Sequence, residues 1–155
     1  MSSGSWTDGV ELNVGLYGNG VLNLTNSGTV SVGAGGCGVL TMGFKSTGVS
    51  TLNLCSGGTA CTLKAAEVNG GAGTTVVNFN HTGSYAFTPA LIGSLSVNKL
   101  GGGTATLSTV NNYIGGTLHL TDIGTQNFNG LTTMPDGAAI AADKVGPPDL
   151  NATIG

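Results

Sequence analysis

The side chains suited to acid–base or nucleophilic chemistry are few and widely spaced in this chain. Two are histidines, His81 and His119, and seven are carboxylates, at Asp8, Glu11, Glu67, Asp122, Asp136, Asp143 and Asp149. The tightest cluster is residues 119–122, where strand alternation would put His119 and Thr121 on one face. Serine hydrolysis needs a base-activated nucleophile, and no G-x-S-x-G elbow occurs. The sequence therefore provides only weak catalytic candidates, His119, Asp122 and His81, with His119 expected to be a strand residue and His81 a turn residue.

The three cysteines allow two interpretations. Cys55 and Cys61 bracket Ser-Gly-Gly-Thr-Ala, a turn flexible enough for a disulfide. Alternatively all three are ordinary small buried hydrophobes, and Cys37 is free in either case. Because no C-x2-C spacing occurs and the histidines lie far away in sequence, we predict no metal site. No helix follows the glycine-rich residues 18–20 and 101–103, so we predict turns there and no cofactor.

Composition favours a β protein made of many short strands. Only 7% of the 155 residues are charged, against about 25% in an average domain, and 29 are glycine. Thr, Val and Ile favour pleated surfaces, while Gly and Asn favour tight turns.

The four basic residues are all lysines and the net charge is −3, which argues against nucleic-acid binding. No apolar run is long enough to span a membrane, and residues 1–9 lack the features of an export signal.

An internal repeat gives the first indication of architecture. Residues 12–32 can be laid over residues 40–63, with Leu12 on Leu40, Gly15 on Gly43, Leu22 on Leu52 and Gly28 on Gly58. The offset is 28 residues and rises to 30 after an insertion. Each copy contains alternating strands separated by glycine turns, which predicts one coil of a parallel β-solenoid whose coils share one interior of Leu and Val. An antiparallel sandwich with similar turns is the alternative.

This repeat has consequences for the domain organisation and for any active site. The strand and turn pattern continues through residues 74–107, so we assign residues 1–133 to the repeat domain. Residues 134–155 carry three of the four prolines and an Ala-rich segment, which indicates a tail, linker or cap.

Coils stacked about every 28 residues would bring Glu67 or His81 near residues in the 90s, or near His119 and Asp122. A site for ester or polysaccharide hydrolysis on the flank would be assembled in this way.

Residues 95–120 resemble the autotransporter-associated β-strand repeats of bacterial autotransporter passenger domains. The similarity follows a strand ending in K-x-G, then G-T-x-x-L-S, then an Asn-x-Tyr-x-Gly-Gly-Thr turn. Thr109-Val110 departs from the Gly-Ala usual in the family. With the upstream copies, which are similar to a second repeat of such passengers, the resemblance covers about residues 10–120. The matching residues are Lys99, Gly101, Gly103, Thr104, Leu107, Ser108, Asn112, Tyr113, Gly115, Gly116 and Thr117.

The resemblance implies a right-handed parallel β-helix on a bacterial cell surface, acting as a stalk or adhesive surface. It does not imply a catalytic residue, because these repeats usually form the scaffold. We therefore expect a fragment of a surface or secreted passenger whose partners are carbohydrate, a protein surface, or a second copy bound at the solenoid ends. Two alternatives remain: a hydrolase acting on esters or polysaccharide, and a cytosolic fragment without a selected activity. No signal peptide precedes the repeats and no translocator barrel follows them in this chain.

Overall fold

The protein consists almost entirely of short β-strands that recur in groups of three. The computed structural model describes residues 4–58, 61–107 and 109, together with the backbone of residues 111–113, 117–121, 125–128, 132–133 and 139–143. The only helical element within these ranges is a 3₁₀ turn, Ala34–Gly36.

The strands are named in chain order and listed by their place in each group. The first strands are β1 (Ser5–Asp8), β4 (Thr29–Val32), β7 (Thr62–Lys64), β10 (Ser84–Phe87), β13 (Thr104–Leu107) and β16 (Thr125–Phe128). The second strands are β2 (Glu11–Val14), β5 (Val39–Met42), β8 (Glu67–Gly70), β11 (Ala90–Gly93), β14 (Asn111–Tyr113) and β17 (Thr132–Thr133). The third strands are β3 (Asn19–Leu24), β6 (Val49–Gly58), β9 (Thr74–His81), β12 (Ser96–Lys99), β15 (Thr117–Thr121) and β18 (Ala139–Asp143).

Each place in the group forms its own sheet, because strands pair with the strand three positions further along the chain. All second strands form one six-stranded sheet, here called sheet II, and all third strands form another, sheet III. The first strands form two separate three-stranded sheets: sheet I contains β1, β4 and β7, and sheet IV contains β10, β13 and β16. Every pairing between described strands is parallel. The antiparallel sandwich is therefore excluded, and the expected all-β architecture with parallel sheets is confirmed.

The strand register matches most of the internal repeat seen in the sequence. Leu12 pairs with Leu40 and Leu22 with Leu52, as predicted. The alignment of Gly28 with Gly58 is wrong, because Gly58 pairs with His81 and the strand after Gly28 pairs with Thr62–Lys64. The interval is also not constant, since the asparagines aligned in sheet III are 30, 25 and then 20 residues apart.

Strand alternation creates the common interior. In β9, Thr75, Val77, Phe79 and His81 are buried, while the residues between them face outwards. Residues aligned by the parallel register stack on one another, so Leu54 of β6, Phe79 of β9 and Lys99 of β12 form one column. Within the described part of the chain, twenty-one buried hydrophobic side chains belong to a single core, and most of them are Leu, Val, Ala and Phe.

Two aligned glycines turn the chain from sheet II into sheet III. Gly15 and Gly43 follow β2 and β5 and have φ values of 70° and 58°, a region that L side chains rarely adopt. A Cβ at Gly43 would lie 2.9 Å from Oγ1 of the buried Thr75. The glycine pattern of the repeat therefore has a geometric cause at this corner.

A ladder of asparagine side chains runs along the outer surface of sheet III. Asn53 donates from Nδ2 to Oδ1 of Asn23, Asn78 donates to Asn53, and Asn98 donates to Asn78, each over 2.7 Å. Such ladders require identical residues at equal positions of parallel strands. The ladder thus stabilises the register of four successive strands.

Replacing Asn78 by alanine is expected to lower the free energy of unfolding by about 1–3 kcal/mol, because Asn78 makes two of the three ladder hydrogen bonds. Asn80 lies on the same face of β9, and none of the hydrogen bonds in the described part of the chain involves its side chain. Asn80→Ala is therefore the matched control and should change stability by less than about 0.5 kcal/mol. Urea unfolding of both variants measures the difference, and equal losses would contradict a ladder contribution.

A discontinuity separates sheets I and IV. β7 and β10 occupy neighbouring groups but do not pair, and the main chain of Leu63 instead donates a hydrogen bond to the Tyr85 hydroxyl over 3.4 Å. Beside this break, the register of β6 against β9 shifts between Leu54 and Gly58. The first strands of the third and fourth groups, β7 and β10, therefore belong to different sheets.

The Cys55–Cys61 disulfide lies beside this break. The two cysteines are joined with a Cα–Cα distance of 5.1 Å, which is one of the two alternatives left open by the sequence. Cys55 has a φ of 59°, unusual for a residue other than glycine, and its side chain is completely buried. Cys37 is free and exposed.

The C-terminal boundary drawn from the sequence does not coincide with the end of the sheets. Sheet III extends past residue 133, because Ala139–Asp143 pairs with Thr117–Thr121. The segment assigned to a tail, linker or cap thus contributes at least one paired strand. No helix in the described ranges is long and apolar enough to cross a membrane.

Candidate functional site

His81, one of the predicted catalytic candidates, lies in the interior. It ends β9 and is completely buried. Its Nδ1 lies 2.8 Å from the carbonyl oxygen of Gly83. A carbonyl only accepts hydrogen bonds, so Nδ1 carries the hydrogen and Nε2 is an acceptor, for which the described part of the chain offers no partner. His81 is therefore a core residue preceding a turn and cannot act on a ligand at the surface.

Two further polar side chains lie beside His81 in the core. Lys99 is fully buried and donates from Nζ to the carbonyl oxygen of Gly101, and the ring of Tyr85 lies 5.6 Å from that of His81. Burial lowers the pKa of Lys99 and raises the pKa of Tyr85 to about 12. Burial also lowers the pKa of His81; the hydrogen bond to Gly83 opposes this effect and the nearby Lys99 charge adds to it.

His119, the second predicted candidate, is not aligned with His81 in sheet III. The register aligns His119 of β15 with Asn98 of β12, and so with Asn78 of β9, three residues before His81 and two strands away. Asp122 lies outside the described residues. The hydrolytic constellation considered from the sequence is thus not assembled around His81 in the part of the chain that is described.

A groove on the outer face of sheet II offers the strongest alternative. It has a volume of about 700 Å³, and β2, β5 and β8 contribute its floor. In the register, Glu11 pairs with Val39 and Val39 with Glu67, so the two carboxylates project from the same face. The residues that line the groove include Glu11, Val39, Thr41, Phe44, Glu67 and Asn69.

The two glutamates have different surroundings. Thr41, which is 6% exposed, donates from Oγ1 to Oε1 of Glu11 over 2.9 Å. This bond holds the Glu11 side chain against the floor. Glu67 is half-buried and makes no such contact with the described residues. Their strands are two spacings apart, about 9.5 Å along the sheet.

One end of the groove is formed by an exposed aromatic residue. Phe44 is 46% exposed and follows the glycine corner after β5. The Lys45 Nζ lies 4.8 Å from the centre of the Phe44 ring and 6.0 Å from that of Tyr17, which is 68% exposed. Phe44 and Tyr17 thus lie at the surface, whereas Phe79, Tyr85 and Phe87 are buried in the core.

The groove combines hydrogen-bond acceptors, paired negative charge and apolar surface. Glu11, Glu67 and Asn69 supply carboxylate and amide groups, while Phe44 and Val39 supply apolar area. Among the described residues, no three His, Cys, Asp or Glu side chains lie together as a metal-binding set. The arrangement is suited to binding a polar ligand that carries no negative charge.

Sequence reasoning missed this groove because Glu11 and Glu67 are 56 residues apart, two full repeats of 28 residues. In the register of sheet II, both glutamates directly precede an aligned strand position, Leu12 and Val68, on either side of Leu40. The repeat found in the sequence aligns Leu12 with Leu40 but does not extend to Val68, so it does not reveal the pair.

Comparisons with protein-family models, with curated proteins and with solved structures find no match to this chain.

Proposed function

We propose that this chain is a right-handed parallel β-solenoid that acts as a structural and adhesive module on a bacterial surface, as in the autotransporter passengers it resembles. Each group of three strands is then one coil. The observation that carries the proposal is the pairing of each strand in sheets II and III with the strand three positions later. A right-handed course is supported by the strong preference of parallel crossover connections for that hand.

The outer surface supports an adhesive rather than a catalytic role. It displays the asparagine ladder of sheet III, and nearby outward positions carry Val21, Thr51, Val76 and Ser96. A rigid surface of uncharged groups provides many weak contacts to a glycan or protein surface at small desolvation cost. We place the parent protein at the cell surface or outside the cell.

Adhesion can be measured with beads coated with the purified chain. Beads carrying the folded chain are expected to remain on epithelial cells or on glycan-coated surfaces under flow. Beads carrying the heat-unfolded chain at the same density provide the control. Equal retention of the two preparations, or retention of neither, would overturn the adhesive function. Nuclear Overhauser contacts between the side-chain amides of Asn23, Asn53, Asn78 and Asn98 test the stacked coils separately.

A glycoside hydrolase is the second candidate, and the placement of Glu11 and Glu67 favours it. Their backbone separation of about 9.5 Å lies at the upper limit of the carboxyl separation of about 6.5–9.5 Å in inverting glycosidases. Acid catalysis usually requires a carboxyl shielded from water, and Glu11 is exposed, which favours binding over turnover. Release of reducing ends from a polysaccharide panel by the wild type and not by Glu67→Gln would establish the hydrolase. If no reducing ends are released, the hydrolase is excluded for these polysaccharides and adhesion remains the proposed function.

A further inference from the structure

The groove of sheet II has the size and shape of a ligand site. Its volume of about 700 Å³ lies within the range of about 300–1,000 Å³ typical of small-molecule sites. Its floor is the outer face of sheet II, on which β5 and β8 are paired on both sides and β2 is the edge strand. A ligand lying across β5 and β8 therefore meets outward side chains and no unpaired main-chain groups of these two strands. This favours a ligand that binds through side groups, such as a saccharide.

The charge of the groove selects among saccharides. Glu11 and Glu67 both line it, and its described lining residues include no Lys, Arg or His. Lys45, the cation beside Phe44, has its Nζ over the aromatic ring. An anionic sugar would be repelled by two carboxylates, whereas an amino sugar would be attracted by them. Because the strands that carry Glu11 and Glu67 are about two strand spacings apart, one ammonium group cannot contact both carboxylates closely. An extended ligand with two ammonium groups fits this separation better.

Phe44 supplies the apolar contact that a sugar ring needs. The ring is 46% exposed at the end of the groove. The C–H face of a pyranose is apolar and packs on a flat aromatic surface, while its hydroxyl groups bond to acceptors such as Asn69. Thr41 already holds Glu11 in place, which reduces the side-chain entropy lost on binding.

We propose that this groove binds an oligosaccharide of amine-bearing hexoses, with Glu11 and Glu67 pairing with its ammonium groups and Phe44 packing on a ring. This inference rests on the adhesive function proposed above and specifies its ligand.

Calorimetric titration of the full chain with glucosamine tetramer tests the ligand class. The fully N-acetylated tetramer is the matched ligand, because it has the same sugars and linkages without the charge. We expect the free amine to bind about tenfold more tightly, the combined effect of two partly exposed ion pairs, and added salt to reduce this preference. Equal affinities would overturn the proposal, and tighter binding of tetralysine would replace it by a basic peptide site.

Variants of the groove locate the interaction. Glu11→Gln with Glu67→Gln should abolish the tenfold preference, and Phe44→Ala should weaken both tetramers equally. Asp143→Asn, on β18 of sheet III, removes one negative charge from another sheet and should leave the preference unchanged. Circular dichroism verifies that each variant is folded. If the double variant retains the preference, the groove is not the site. Bead adhesion that persists without binding of either tetramer would overturn this inference and leave the adhesive function standing.

Discussion

Phe79→Ala is expected to lower the free energy of unfolding by about 3–5 kcal/mol, the usual cost of removing a completely buried phenylalanine. Phe79 is 0% exposed and stacks between Leu54 and Lys99. It packs edge-on against Phe87, with ring centres 5.1 Å apart. The neighbouring strands β6 and β12 cannot close around the cavity, because they are held in register by hydrogen bonds on both sides of β9.

Phe44→Ala is the matched control, since it removes the same side chain from a half-exposed position. We expect a loss below about 1 kcal/mol. Urea unfolding followed by circular dichroism measures both variants. If Phe79→Ala loses as little stability as Phe44→Ala, Phe79 is not part of a close-packed core.

Acidification from pH 7.5 to 5 is expected to destabilise the fold through His81. The lowered pKa of His81 means that the unfolded chain takes up a proton near pH 6.5, whereas the folded chain does so only at lower pH. The stability that the neutral imidazole provides is complete above pH 6.5 and is lost as the pH falls towards the folded pKa. One proton corresponds to a slope of at most about 1.4 kcal/mol per pH unit.

The surroundings of His81 explain this direction. Nδ1 is already bonded to Gly83, and the described part of the chain offers no acceptor for a proton on Nε2. Lys99 and Tyr85 are the titratable groups beside it among the described residues, and Gly58, which pairs with His81, lies between the disulfide-bonded Cys55 and Cys61 in the chain. A second buried cation near Lys99 would lack compensation from these groups.

Unfolding free energies measured between pH 5 and 7.5 test this prediction above the usual range of the carboxylates. The chain has only two histidines, so each can be examined separately. His81→Gln should flatten the pH dependence whatever its effect on stability at pH 7.5, whereas His119→Gln should leave the slope unchanged. If the slope disappears with His119→Gln instead, His119 causes the pH dependence and the prediction for His81 is contradicted.

The candidate site was less accessible to sequence reasoning than the fold. Histidines attracted attention because their chemistry is versatile, yet His81 occupies an inward position of β9 and is buried. Sequence reasoning groups Glu67 with residues in the 90s or with His119 and Asp122, and it offers no partner for Glu11, because nothing adjacent to the two glutamates suggests that they form a pair. Their common groove depends on two features that no short motif records: the exact 28-residue interval in sheet II and the outward direction of both side chains.

The sequence by itself determined the short strands and the glycine corners, because strand alternation and positive φ depend on residues close together in the chain. The pairing of Leu12 with Leu40 was also predictable, because the two segments are similar in sequence. Tertiary structure decided which repeats shorten to 20 residues, where sheets I and IV separate, and which polar groups enter the core. Those outcomes depend on pairing and packing between neighbouring groups of strands, whose energy arises from residues 20–30 positions apart and is invisible within any single repeat.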